Sequence, residues 1–523
     1  VVFLLAIGGT VALAGGIFAL LDAASLHFVA ANSDGATVVL EGDSMRNGAL
    51  LLSGWSLPLD SFFTIEVPLY AGAIAIFGLA RDLVNAVPAA LGTLVIFAGM
   101  AIAVRPGRGW ARIAGAAVVV ALLGLPSPGL AFFFLQGPWH VGTALFCLVA
   151  FAGAAAPRPG WRAAIATVAL VAAILGDVQA LALGAVPILV SGVLRSARAR
   201  QWRAGALPVA IACGSVLLAY LLRKLFDLIG TFTLVDANPT ARLHQVGFNL
   251  RHLPVRFAGL LGVGTDPIGP ATTPSRIALA HVLGLAVVLG AVAITALGAV
   301  RGAAFGDRRT GVPGGSRTLD DLLLLGFVGD LGAFVLLAAT GNGAYARYLT
   351  AGVIFSVVLA GRIACRAAGR SGATARAAAA GALGLCALFG VGYGLDLGQR
   401  AVPRPVNALG AYLESARLTE GLGDYWSASI VTASTGGRVT VRPVIATPGG
   451  TLARYGRQST SAWYAGERFG FLVFDLHRPW RSVDMATAEA TFGPPRRVLA
   501  EGTYRIYVFA EPVTISPIGY SNS

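Results

Sequence analysis

The stretch LEGDSMRNGALLLSGW, residues 40–55, sets Glu41 and Asp43 two residues apart, with Arg46 close behind. A carboxylate within hydrogen-bond reach of a hydroxyl takes its proton, and a neighbouring arginine favours the charged form. Gly42 leaves the backbone beside Asp43 free to approach a substrate. Asp60 and Glu66 lie in the same region, Asp177 stands in ILGDVQALALG, and His140 stands in QGPWHVGTALF. Arg347, flanked by Tyr345 and Tyr348 in TGNGAYARYLTAG, has the planar fork that grips a phosphate. Each also has a plainer reading. The acidic pair suits a solvated loop, Asp177 a cap on the helix VQALAL, His140 interfacial packing and Arg347 a headgroup anchor.

These residues need elements to place them. The 523-residue chain is 56% hydrophobic and 12% charged, with a mean hydropathy of +0.73, more apolar surface than a water-soluble core hides. It reads as a polytopic α-helical membrane protein. Runs of spanning length fall at 1–22, 86–104, 111–126, 135–156, 161–176, 178–195, 206–223, 277–300, 320–340, 345–362 and 377–396, eleven in all. The formal charge of +14 resides in arginines of short loops, which is an orientation signal and excludes a nucleic-acid partner. Cys147, Cys213, Cys365 and Cys386 show neither disulfide nor zinc spacing. The opening run is longer than a signal-peptide core, and the missing initiator Met suggests a short absent leader.

The basic segments 105–112, 158–162, 195–203, 301–317 and 362–370 occupy alternate loops, so they face the cytoplasm. This places the amino end inside and the loops 23–85, 127–134, 224–276 and 341–344 outside. The apolar segment 64–80, with Glu66 and Pro68 near its start, reads as interfacial or re-entrant. Residues 1–396 form the membrane domain. Residues 397–523, where RVTVRPVIA, RFGFLVFDL and TYRIYVFA alternate between Gly, Pro and Ser turns, form an outer α/β domain. Glu41, Asp43, Glu66, His140, Asp177, Arg347 and Tyr348 thus share the outer boundary of the membrane.

An acidic pair in a long first outer loop, about a dozen spans, an outer Arg347-Tyr348 and a C-terminal outer domain resemble the GT-C glycosyltransferases. The likeness is to actinobacterial members of the dolichyl-phosphate-mannose or aminoarabinose transferase type. It implies a hexosyl- or pentosyltransferase of the plasma membrane, acting on a polyprenyl-phosphate sugar and a glycan, lipid or protein acceptor among membrane lipids. It also implies Asp43 or Glu41 as the base and Arg347 with Tyr348 on the donor phosphate. Arg46, Glu66, His140 and Asp177 then line the substrate. The resemblance leaves a divalent metal open, since some of these enzymes use one. Arg223, Lys224, Arg242, Arg251 and Arg256 are reserve phosphate partners, and Asp424-Tyr425-Trp426 and Trp463-Tyr464 suit sugar stacking or core packing. The alternatives are a transporter or flippase, for which Asp330 is the best residue, and a non-catalytic scaffold.

Overall fold

The computed structural model describes residues 2–156, 160–235, 240–264, 273–305, 314–336, 343–369, 372–477 and 481–520. Parts of the basic segments 158–162, 301–317 and 362–370 and of the connections 224–276 and 341–344 lie outside these. The helices are α1 Val2–Phe28, α2 Ser33–Arg46, α3 Val67–Phe77, α4 Leu83–Ala103, α5 Trp110–Val119 and α6 Pro128–Phe134. Then follow α7 Val141–Ala154, α8 Trp161–Gly176, α9 Val186–Ala199, α10 Ala206–Leu228, α11 Leu243–Leu260 and α12 Ala278–Phe305. The last are α13 Gly314–Leu336, α14 Thr350–Ala368, α15 Gly372–Leu397, α16 Pro405–Ser415, α17 Tyr425–Ser434 and α18 Met485–Phe492.

Among the described residues, seven helical stretches are long and apolar enough to cross a membrane, or eight counting 110–124 with α6, a pair bent by 84°. Every one of the eleven apolar runs carries helix, but α7 and α8 have only 14 and 16 residues. The run 135–156 was lengthened by Gln136–His140, which form no helix. Segment 64–80 yields α3, 11 residues long. At 1.5 Å per residue that is about 16 Å, roughly half the hydrocarbon thickness.

The chain divides into two compact units. One comprises residues 1–29, 88–221 and 238–402, the other 30–87, 222–237 and 403–523. The helical unit packs around buried side chains such as Phe133, Phe151, Phe334 and Phe355. At one end, Asp320 of α13 binds Arg362 and Arg366 of α14, and Asp321 binds Arg198 of α9. Arg362 also donates to the carbonyl of Ile102 at 2.8 Å, so three of the five basic segments meet at one level. Arg347 precedes the other end of α14.

The second unit is α/β. Strands β1 Trp55–Leu57, β2 Thr233–Leu234, β3 Glu420–Gly423, β4 Thr440–Ala446, β5 Leu452–Tyr455, β6 Ser459–Thr460, β7 Phe469–Asp475, β8 Arg497–Glu501, β9 Tyr504–Val513 and β10 Gly519–Tyr520 form two sheets. The larger has the order β10-β5-β4-β3-β7-β9-β8, with β3 parallel to both β4 and β7. Period-two alternation sends Phe471 and Val473 of β7 toward α16 and α17, and Leu472 and Phe474 toward α18. The smaller sheet, β2-β1-β6, pairs Ser56 with Thr233 and with Ser459. It joins the first long loop, the end of α10 and the C-terminal region into one body.

Candidate functional site

In the helical unit the turn after α8 builds the first cluster. Asp177 ends α8 in an extended conformation, and its Oδ1 accepts the Gln179 N–H at 2.9 Å. Its Oδ2 accepts from His140 Nδ1 at 2.7 Å and Thr143 Oγ1 at 2.5 Å. Burial pushes this carboxyl up, but the His140 contact and the three donors outweigh it and hold it below the usual range. His140 precedes α7 at φ +66°, in the left-handed region that few residues other than glycine adopt. Its ring lies 5.1 Å from the Tyr348 ring. Arg347 donates to the Tyr348 hydroxyl at 3.0 Å, with its guanidinium 4.9, 5.6 and 5.9 Å from the rings of Tyr348, Trp139 and Tyr345.

His140, Asp177, Arg347 and Tyr348, chosen from three distant stretches, are therefore neighbours. Asp177 both starts a turn, as a cap would, and holds the histidine. Asp330, singled out for a transporter, accepts the Gly352 N–H at 2.7 Å and ties α13 to α14. Three buried atoms, Gln179 Oε1, Thr350 Oγ1 and Asp330 Oδ1, have no hydrogen-bond partner, so this end of the unit still has polar groups to satisfy.

The second unit corrects the reading of residues 40–46. They are not loop but the last turns of α2, started by Asn32, whose side chain accepts the Gly35 N–H at 3.1 Å. A helix turns about 100° per residue, so Glu41 and Asp43 diverge by about 200° and face opposite ways. Glu41 is buried, which pushes its carboxyl well above the ordinary range, and its Oε2 has no partner. Asp43 is partly exposed, with Arg46 at 3.9 Å. Gly42 does not clear a path for substrate: a Cβ there would lie 2.7 Å from Tyr70 Cβ, because α2 and α3 pack closely at this point. Glu66 is buried at the start of α3, one turn before Tyr70.

Asp34 was missed. It shares the Glu41 face, since Asp34, Thr37 and Glu41 are spaced by three and four residues. It sits half-buried in the first turn of α2, where the helix dipole attracts negative charge. The Tyr425 hydroxyl donates to its Oδ1. The Asn-Ser-Asp start before ATVVL was the available signal.

The C-terminal aromatic motifs divide in role. Tyr464 is core, its hydroxyl donating to the Pro443 carbonyl at 2.6 Å, whereas Trp463 lies under the Arg442 guanidinium at 4.3 Å and edge-on to Trp55. Arg442 also feels the charge of Asp43. Asp424 caps α17, accepting from the N–H groups of Trp426 and Ser427 at 2.9 and 3.2 Å, and burial pushes it up to about 6. Of the reserve cations, Arg223 is engaged by Asp227 at 2.6 Å. Among the described residues, no three His, Cys, Asp or Glu side chains gather as metal ligands.

Neither a family model nor a curated protein matches the sequence. Solved structures do. The crystal structure of ArnT from Cupriavidus metallidurans in the apo state matches at 13% identity and a TM-score of 0.54, covering 96% of this chain and 98% of that one. The chain has the ArnT fold. The likeness runs through both units, so the C-terminal sheet belongs to that architecture as the helices do. The Archaeoglobus fulgidus oligosaccharyltransferase in complex with Zn and sulfate matches more loosely, at 13% identity and a TM-score of 0.46 over 91% of this chain and 70% of that one. Both neighbours have the GT-C architecture, and the chain is a multi-pass membrane protein of that fold.

Proposed function

We propose that this protein is a membrane glycosyltransferase that moves a sugar from a polyprenyl-phosphate donor to a glycan, lipid or protein acceptor on the outer face of the plasma membrane. The observation that carries the reading is the convergence of Asp177, His140, Tyr348 and Arg347 at one end of a helical unit with the ArnT fold. Arg347, fixed among three rings, meets the donor phosphate with two parallel hydrogen bonds. His140, anchored by Asp177, and Tyr348 add polar groups beside it.

The reaction breaks the bond between the anomeric carbon and the phosphate oxygen, and the bonding pair leaves with the polyprenyl phosphate. The acceptor hydroxyl forms the new bond and gives its proton to a carboxylate. Asp34 takes that role: it is half-buried, lies at a helix N-terminus and accepts from a tyrosine. Asp43, on the other face of α2 and within reach of Arg46 and Arg442, is placed on the acceptor side. Asp330 is committed to the packing of α13 on α14, which favours this reading over a transporter.

The outer-face assignment rests on the alternation of basic segments, three of which meet at the end of the helical unit away from Arg347. The test is transfer of a radiolabelled sugar from a polyprenyl-phosphate donor in sealed vesicles of known orientation. Transfer to a water-soluble acceptor is expected when the C-terminal side of the membrane faces the medium. Transfer in the opposite orientation reverses the topology, and labelled donor translocated without transfer establishes a flippase.

A further inference from the structure

Tyr425, in the DYW stretch, joins the C-terminal sheet to the carboxylate assigned above as the base. Its ring is buried, packed on Tyr455 at 5.1 Å, and begins α17 directly after the Asp424 cap. Helices α17 and α2 approach closely because small residues meet between them, Ala36 of α2 touching Ile430 and Ala433 of α17. This approach brings the phenol to Asp34. The same hydroxyl lies 2.6 Å from Gln458 Oε1, between β5 and β6.

A phenol has one proton, so it cannot donate to both Asp34 Oδ1 and Gln458 Oε1. Turning the Gln458 amide over resolves the conflict: the amide nitrogen donates to the phenol oxygen, and the phenol proton goes to Asp34. Each bond polarises the next.

We infer that Tyr425, oriented by Gln458, is a positioning residue that holds the Asp34 carboxylate in its working direction and in its charged form. The inference rests on the assignment of Asp34 as base. It gives the C-terminal domain a part in the chemistry rather than a merely decorative place outside the membrane. It also explains why Asp34, rather than another carboxylate of α2, is the reactive one, since Glu41 is buried and Asp43 faces elsewhere. The charged and titratable groups around the phenol are Asp34 on α2, Asp424 on α17, and Tyr455 and Arg457 beside Gln458. Glu66 and Tyr70 of α3, and Glu41, Asp43 and Arg46 of α2, complete the set on the packed helices.

The test is the pH profile of kcat for the full-length protein and its Tyr425→Phe and Gln458→Leu variants, with thermal unfolding measured alongside. A donor to a carboxylate favours the ionised form, so its loss makes the carboxylate hold its proton to higher pH. For Tyr425→Phe the acidic limb is expected to move upward by about one pH unit, with the donor KM unchanged. Gln458→Leu should move it the same way by less, and it decides the matter if Tyr425→Phe does not fold. A limb that stays in place overturns the inference, whatever happens to kcat, because a structural role lowers activity without moving a titration. Asp34→Asn separates the two levels. If that variant is active, the base assignment falls; if it is inactive and the limb stays in place, only the role of Tyr425 falls.

Discussion

Asp177 and Asp34 are both aspartates at the end of a helix beside an aromatic hydroxyl or imidazole, yet they are built for opposite tasks. Asp177 is buried and accepts from His140, Thr143 and the Gln179 backbone, so its lone pairs are committed. Such a group fixes its neighbours. Asp34 is half-buried and held on one oxygen by Tyr425. Such a group is oriented yet open to a proton. The comparison teaches that carboxylates at a glycosyl-transfer site divide into those that hold the framework and those that react, and that the number of donors around each separates them.

The sharpest way to break the comparison is to empty the framework position. Asp177→Ala leaves His140 and Thr143 buried without their acceptor, so a loss of about 3–5 kcal/mol in stability is expected by thermal unfolding in detergent. Unchanged unfolding would show that Asp177 holds nothing. Next in size is Asp424→Asn. In the parent, a carboxyl raised from 3.8 to about 6 favours the folded state below pH 4, and that contribution, roughly 3 kcal/mol, is lost as pH rises through 6. The variant keeps a cap acceptor but cannot ionise, so its unfolding temperature should vary less between pH 4 and pH 7.5. An identical pH dependence in both proteins would contradict the assignment.

Arg347→Lys keeps the charge but loses the planar fork, and about a hundredfold loss of transfer is expected with folding intact. Full turnover by that variant would remove Arg347 from the phosphate. The smallest effect belongs to Glu41→Gln. A buried carboxyl raised well above its usual range is neutral at working pH, so the amide should transfer sugar within about twofold of the parent. Because the raised carboxyl disfavours the folded state as pH rises through its own titration, the variant should hold its stability better in alkali. A dead Glu41→Gln enzyme would return Glu41 to the chemistry.

Much of this was legible in the sequence. Hydropathy located the helical runs, and period-two alternation in RFGFLVFDL found a strand whose two faces serve two cores. His140, Asp177, Arg347 and Tyr348 were placed together because each lay at an outer end of an apolar run, and the packing of α7, α8 and the turn before α14 brings them within contact. The pairing of β1, β2 and β6 was not legible, because strands of two or three residues carry no periodicity. The acidic stretch was misread for a related reason. With nine of its fourteen residues buried but a mixed composition, α2 shows no apolar face in the sequence, so residues 40–46 looked like loop and Asp34 like a linker residue. Once the helix is known, spacing alone separates Glu41 from Asp43 and joins it to Asp34.

The central claim is that Asp34 is the base and the committed carboxylates are not. Its most direct test is the rate of sugar transfer by purified Asp34→Asn protein, compared with Asp43→Asn under the same conditions and with donor binding measured for both. The account predicts a fall of about a hundredfold to ten-thousandfold for Asp34→Asn with donor binding retained, and a much smaller change for Asp43→Asn. Parent-like turnover by Asp34→Asn alongside an inactive Asp43→Asn would contradict it and move the base to the other face of the helix.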